Sequence, residues 1–128
     1  MKKELGEQFI YDGVVFGKSK DDFLKQLDIF MLPSYFEGLP MSLLECMSFG
    51  VVPITTNVGS IGEVVYNNKN GVFIQKQNTT DIVEQFIRFN DNRRLLQTLS
   101  QTAKSTIFKM FSPSIYINNL NHLYQNLP

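Results

Sequence analysis

Two carboxylates, Glu37 and Glu45, stand with seven residues between them in the stretch Pro33-Ser34-Tyr35-Phe36-Glu37-Gly38-Leu39-Pro40-Met41-Ser42-Leu43-Leu44-Glu45. An apolar run, Ile29-Phe30-Met31-Leu32, precedes this stretch, and a helical pattern from Pro40 to Phe49 takes it up. The segment thus leaves a buried strand, crosses a short loop and enters a helix. In open parallel sheets that carboxyl end is where ligands bind. Pro40 suits the first helical position, so the free amides of Met41 and Ser42 and the positive end of the helix dipole face the loop. Gly38 removes a side chain where a ligand would approach the backbone, and a helix start of this kind holds a diphosphate. Glu45 lies about five residues into the helix, roughly 7.5 Å along its axis. Helical side chains tilt toward the N-terminus, so Glu45 leans to the mouth while Glu37 reaches it from the loop. Carboxylates repel phosphate but accept from hydroxyls. A diphosphate carrying vicinal hydroxyls at both ends is a nucleotide sugar.

The other reactive side chains offer less. Lys18 and Lys20 form a small basic patch after an expected strand, either a solvated loop or a nucleotide contact. Glu63 is either a cap on the turn Gly62 to Val65 or a ligand contact. Cys46 sits beside Glu45 in an apolar helix with no matched base, as a buried small hydrophobe would. A single cysteine makes neither an intramolecular disulfide nor a multi-thiolate zinc site, which points to a reducing, cytoplasmic setting. His122, the only histidine, falls on the polar side of the last helical pattern, so neither metal nor imidazole chemistry is expected.

Twelve basic and twelve acidic residues cancel, so no global field draws the chain to nucleic acid or anionic lipid. The aromatic residues lack the basic interleaving of a single-strand nucleic-acid binder. No apolar stretch approaches the roughly 18 residues of a spanning helix. Met1 to Gln8 is charged and lacks the apolar core of a signal peptide, so export by that route is not expected.

The elements that must position Glu37 and Glu45 follow a βαβ rhythm. Strands are expected at Gly13–Gly17, Ile29–Leu32, Val52–Thr55 and Gly71–Ile74, with helical patterns at Asp21–Leu27 and Pro40–Phe49 between them. Near-continuous apolar strands between helices imply a parallel sheet covered on both faces, and therefore the α/β class. Beyond the sheet, Ile82/Phe86 and Val83/Ile87 give a one-sided helix over Thr80–Phe89. Leu95, Leu99, Ala103 and Ile107 repeat the four-residue step, with Asn90 or Asp91 as cap. Ser112 and Pro113 open a last helix whose stripe, Tyr116, Leu120, Leu123, Tyr124 and Leu127, must pack on something. At 128 residues and 43% apolar content this is one domain with a real core.

The spacing of Glu37 and Glu45 inside Pro-Ser-x-x-Glu-Gly-x-Pro resembles the family 4 retaining glycosyltransferases, of GT-B fold. The likeness continues through Cys46, Met47, Gly50, Pro53-Ile54, Val58-Gly59, Glu63 and Asn70-Gly71, covering the chain from about Leu5. The resemblance implies that Glu45 holds the nucleotide ribose and Glu37 the hydroxyls of the donor sugar. It implies that backbone amides near Gly38, Leu39 and Met41 serve the sugar and diphosphate. Lys18 to Asp21, Ser19 included, resemble the segment that contacts the base. Ser60 stands where the family usually has a second glycine, Gly62 where it often has proline, and Cys46 and Ser48 where alanines are common.

Against that family pattern, two initial strand-helix units with basic residues for the diphosphate, and the acceptor-binding domain, have no counterpart here. The expected fold is a partial doubly wound, Rossmann-like sheet of about four strands, residues 1–128 forming a single partial domain. In the order 3-2-1-4-5-6 the missing strands would separate Gly13–Gly17 from Ile29–Leu32, so either those two pair directly or a partner chain fills the slot. The expected function is the donor-binding segment of a retaining hexosyltransferase working without a metal, with the acceptor and any membrane contact held by the missing parts. The isolated chain is expected to be inactive and to self-associate, a homodimer being the simplest outcome. The alternative is an inactive fragment or assembly module that binds nucleotide weakly or not at all.

Overall fold

Three short runs of β-branched and aromatic residues build the sheet. A computed structural model describes residues 6–126, and in it β1 (Ile29–Leu32), β2 (Val52–Thr56) and β3 (Val72–Ile74) lie side by side in that order. Both pairings are parallel, with Ile29 opposite Val52, Leu32 opposite Thr55 and Ile54 opposite Val72. Parallel neighbours need crossovers. Helix α1 (Gly17–Leu24) leads into β1, and α2 (Met41–Ser48) carries the chain from β1 to β2. A 3-10 turn at Ile61–Glu63 and a tight turn near Asn67 to Gly71 bring it to β3. Helices α3 (Thr79–Asp91), α4 (Arg93–Phe111) and α5 (Pro113–Gln125) follow.

Strand β2 is buried at every position because helices cover both faces of the sheet. On one face Val52, Ile54, Val72 and Ile74 pack against Phe89 of α3 and against Leu96 and Leu99 of α4. On the other, Phe30, Leu32 and Phe73 meet Leu43 and Met47 of α2, with Ala103 and Ile107 from the far half of α4. A third cluster, Leu24, Cys46 and Val51, seats α1 against α2. The α/β class and the parallel sheet expected from sequence are therefore present.

Gly13–Gly17 is not a strand. It runs as irregular chain into α1, with left-handed backbone at Gly13 (φ +69°) and Gly17 (φ +52°) and with Val14 and Phe16 exposed. The sheet thus has three strands among the described residues, not four. No strand of the described residues lies beside this segment, and a short strand with no partner gains no hydrogen bonds to hold it. Direct pairing of this segment with β1, one of the two expected resolutions of the gap, does not occur among the described residues. The far edge of β1 stays open among the described residues.

Three smaller corrections follow from caps and cover. Helix α1 begins at Gly17, four residues before the expected Asp21, which moves Lys18, Ser19 and Lys20 from a loop onto its first turn. The cap of α4 is Asn92, whose side chain accepts from the Leu95 amide at 2.9 Å, in place of Asn90 or Asp91. On α3 only Phe89 is fully buried, while Val83, Phe86 and Ile87 stay exposed because no described element covers that face. Ser112 caps α5 as expected, accepting from Ile115 N, with Pro113 in the first turn. The α5 stripe does not reach a core: Tyr116, Leu123 and Tyr124 are exposed and Leu120 half-buried, while Leu127 lies outside the described residues.

Candidate functional site

Strand β1 ends beside β2, and two buried threonines tie its exit down. Thr55 Oγ1 donates to the Leu32 carbonyl at 3.0 Å, and Thr56 Oγ1 donates to the Ser34 carbonyl at 2.5 Å. Ser34 in turn donates its hydroxyl to Glu37 Oε1 at 2.6 Å. Glu37 is thereby fixed to the central strand through two hydrogen bonds. The loop after β2 closes on it from the other side. Ser60 N donates to the Gly38 carbonyl at 3.0 Å, and Gly59, at φ +55°, approaches so closely that a Cβ there would stand 2.0 Å from the Glu37 carbonyl oxygen. Glycine at 59 is demanded twice, by its backbone angle and by this contact.

Gly38 differs. A Cβ at that position would meet nothing within 4 Å, so no packing inside the chain requires glycine there, and the backbone is open to a ligand. Pro40 has φ −68° and ψ 127°, outside the helix, and Met41 becomes the first helical residue, one later than expected. Leu43 N and Leu44 N donate to the Pro40 carbonyl at 3.1 and 3.4 Å. The amides of Met41 and Ser42 have no partner among the described residues, and both residues are exposed. They are the free donors that a helix start offers an anion. Leu39 is half-buried against the α2 core, which leaves only its backbone for a ligand.

Glu45, on the next turn of α2, meets Lys20 of α1: Nζ donates to Oε1 at 2.7 Å. The hydrogen bond to Glu45 raises the ammonium of Lys20 above its ordinary range. Next to it, burial and then the Glu45 charge push the Cys46 thiol up to about 11, so it is a packed, neutral side chain, as its sequence context suggested. At the rim, Lys76 past the end of β3 holds its ammonium 5.7 Å from the centre of the Phe36 ring, and that ring is 89% exposed.

The structure sets Glu37 and Gly38 on the loop that leaves β1, and Met41, Ser42 and Glu45 on the first two turns of α2, which that loop enters. It does not bring Lys18 and Ser19 into contact with them. Lys18 is exposed with no polar partner among the described residues, and Ser19 lines a separate cavity of about 350 Å³ with Asp12, Asp22 and Phe23. The Glu63 carboxylate caps nothing among the described residues; its backbone carbonyl accepts from the Tyr66 hydroxyl at 3.1 Å. His122 is exposed on α5. A larger cavity, about 540 Å³, lies at the opposite end of β1, between Asp28, Ile29, Phe86 and Arg93. Sequence reading missed Ser34, Thr56 and the pairing of Lys20. Only the first was signalled locally, by a Ser three residues before a Glu.

Residues 1–106 match the model of the family described as Glycosyl transferases group 1. An uncharacterized glycosyltransferase of Methanocaldococcus jannaschii is 30% identical over 105 residues, which are 82% of this chain and 30% of that protein. The UDP-Gal:alpha-D-GlcNAc-diphosphoundecaprenol alpha-1,3-galactosyltransferase of Escherichia coli is 27% identical over 103 residues, 80% of this chain and 26% of its own. The chain therefore spans less than a third of either relative. Among solved structures, Anabaena Alr3699/HepE in complex with UDP superposes with a TM-score of 0.84 at 14% identity, covering 98% of this chain and 35% of that one. Parallel sheet, matched family model and shared fold agree: the chain belongs to the glycosyl transferases group 1 family and has the Rossmann-like fold of the C-terminal domain of GT-B glycosyltransferases.

Proposed function

We propose that this chain is the donor-binding part of a retaining, family 4 glycosyltransferase that moves a hexose from a nucleotide diphosphate sugar to an acceptor held by another domain. The observation that carries the proposal is that the free Met41 and Ser42 amides come between Glu37 and Glu45 along the loop and helix that leave β1, with each carboxylate held by a protein donor. Each carboxylate has one oxygen engaged by a protein donor, Ser34 or Lys20, and its second oxygen without a partner among the described residues. Those free oxygens suit hydroxyl groups, and the amides between them suit the diphosphate. In the reaction the amides and the helix dipole stabilise charge growing on the leaving diphosphate, a part that a metal ion would otherwise supply. Glu37 orients the sugar and Glu45 anchors the nucleoside. Gly38 lets the ligand approach the backbone. Lys18 and Ser19, on the first turn of α1, belong to the base side of the site. The reaction is placed in the cytoplasm, where nucleotide sugars and a free thiol such as Cys46 are compatible.

The donor half alone leaves the reacting carbon open to water and without an acceptor wall, so transfer needs further protein. The open edge of β1 favours the companion reading, an assembly module that functions only when that edge is covered. Calorimetric titration of the chain with UDP-glucose and with UDP separates sugar recognition from nucleotide recognition. Glu37→Gln is expected to weaken UDP-glucose about tenfold while leaving UDP unchanged, the size of one lost charge-assisted hydrogen bond. Unaltered UDP-glucose affinity in that variant refutes the role given to Glu37.

A further inference from the structure

The contact between α1 and α2 assigns a specificity that rests on the donor-site reading above. Lys20 and Glu45 are 25 residues apart in sequence, yet their side chains meet at 2.7 Å, with 37% and 40% of each exposed. An exposed ion pair of this kind contributes little to stability. Its consequence is geometric. A long carboxylate on an exposed helix face samples several rotamers, and the ammonium selects one of them. Only Oε1 is engaged; Oε2 has no partner among the described residues. The ammonium carries three N–H donors, of which Glu45 uses one.

The pair therefore presents an acceptor and a donor side by side, next to the amides that suit a diphosphate. A hydroxyl is both donor and acceptor, so one sugar hydroxyl satisfies both groups at once: it donates to Glu45 Oε2 and accepts from Lys20 Nζ. A lone carboxylate uses only half of that capacity. We propose that Lys20 is a specificity-determining residue of the donor site, which together with Glu45 reads the ribose diol and selects ribonucleoside diphosphates over their 2′-deoxy forms. Loss of the 2′-hydroxyl leaves the ammonium and the carboxylate each short of a partner, a larger penalty than the loss of either contact alone.

The test is calorimetric titration of the chain with UDP, GDP and ADP, and then with the 2′-deoxy form of whichever binds best. The wild-type chain is expected to prefer the ribonucleotide at least tenfold. Lys20→Met is expected to reduce that preference to within about twofold, mainly by weakening the ribonucleotide, with an unchanged thermal midpoint; Lys20→Arg restores part of it. A structural role would move the midpoint and leave the ratio alone. If Glu45→Gln loses the preference and Lys20→Met keeps it, the role of Lys20 is overturned and the donor site stands. If both variants keep it, or the wild-type chain binds none of the three nucleotides, the donor-site reading falls and this assignment falls with it.

Discussion

Glu37 and Glu45 were legible as residues because type and spacing alone set them on a loop and on the helix that follows it, the elements they occupy in the structure. What holds them was not legible. Thr56 reaches Ser34 across 22 residues and Lys20 reaches Glu45 across 25, separations that only tertiary packing brings together. Cys46 shows the opposite case, a residue whose bland role was visible in its apolar context. With the thiol pushed up to about 11 from 9.0, the folded state holds the proton more tightly than the unfolded state does. Stability is then complete below about pH 9 and falls as pH rises toward 11, by up to about 2 kcal/mol. Denaturant midpoints measured from pH 8.5 to 11 should show this fall in the wild-type chain and a shallower one in Cys46→Ala. At pH 8 the native thiol should react with an aromatic disulfide about a hundredfold more slowly than the unfolded one.

Among the elements, those that bury an apolar face against another described element followed their sequence pattern, and those that meet no such element did not. Strands β1 to β3 and helices α2 and α4 fall within a few residues of their expected limits. Among the described residues Gly13–Gly17 has the composition of a strand but no ladder to join, and the Val83, Phe86 and Ile87 face of α3 has an apolar period but no cover. The loop joining β1 to α2 yields a paired test. Gly59→Ala places a methyl into the Glu37 carbonyl at a left-handed backbone angle, and is expected to cost more than about 2 kcal/mol and to disturb ligand binding. Gly38→Ala has open space, and is expected to change stability by less than about 0.5 kcal/mol while weakening nucleotide diphosphate binding. Equal behaviour of the two variants contradicts the arrangement. Behind the loop, buried Asn70 donates to Val64 O and Thr106 Oγ1 and accepts from Tyr66 N, clamping the turn before β3 to α4. Asn70→Ala strands those partners and should lower stability by about 3 kcal/mol in chemical denaturation.

For the molecule as a whole, exposed apolar side chains outside the site include Ile10, Tyr11, Val14 and Phe16 before α1, Val83, Phe86 and Ile87 on α3, Phe108 and Phe111 at the end of α4, and Tyr116, Leu123 and Tyr124 on α5. Together with the open edge of β1 they are surface of the kind that finds a partner. Light scattering of the isolated chain should show a dimer or larger species; a monodisperse monomer at high micromolar concentration contradicts this. A turnover assay with a nucleotide sugar and added acceptor should show no product from the chain alone. The central claim is that the face at the carboxyl end of β1 is a donor site, and backbone-amide NMR during titration with UDP, GDP and ADP reads that face directly. With at least one of the three nucleotides, the resonances of Gly38, Met41, Ser42 and Glu45 should shift together and saturably, and Glu45→Ala should weaken the effect. Silence at these four amides with all three nucleotides, or shifts confined to the cavity between Asp28 and Arg93, would contradict it.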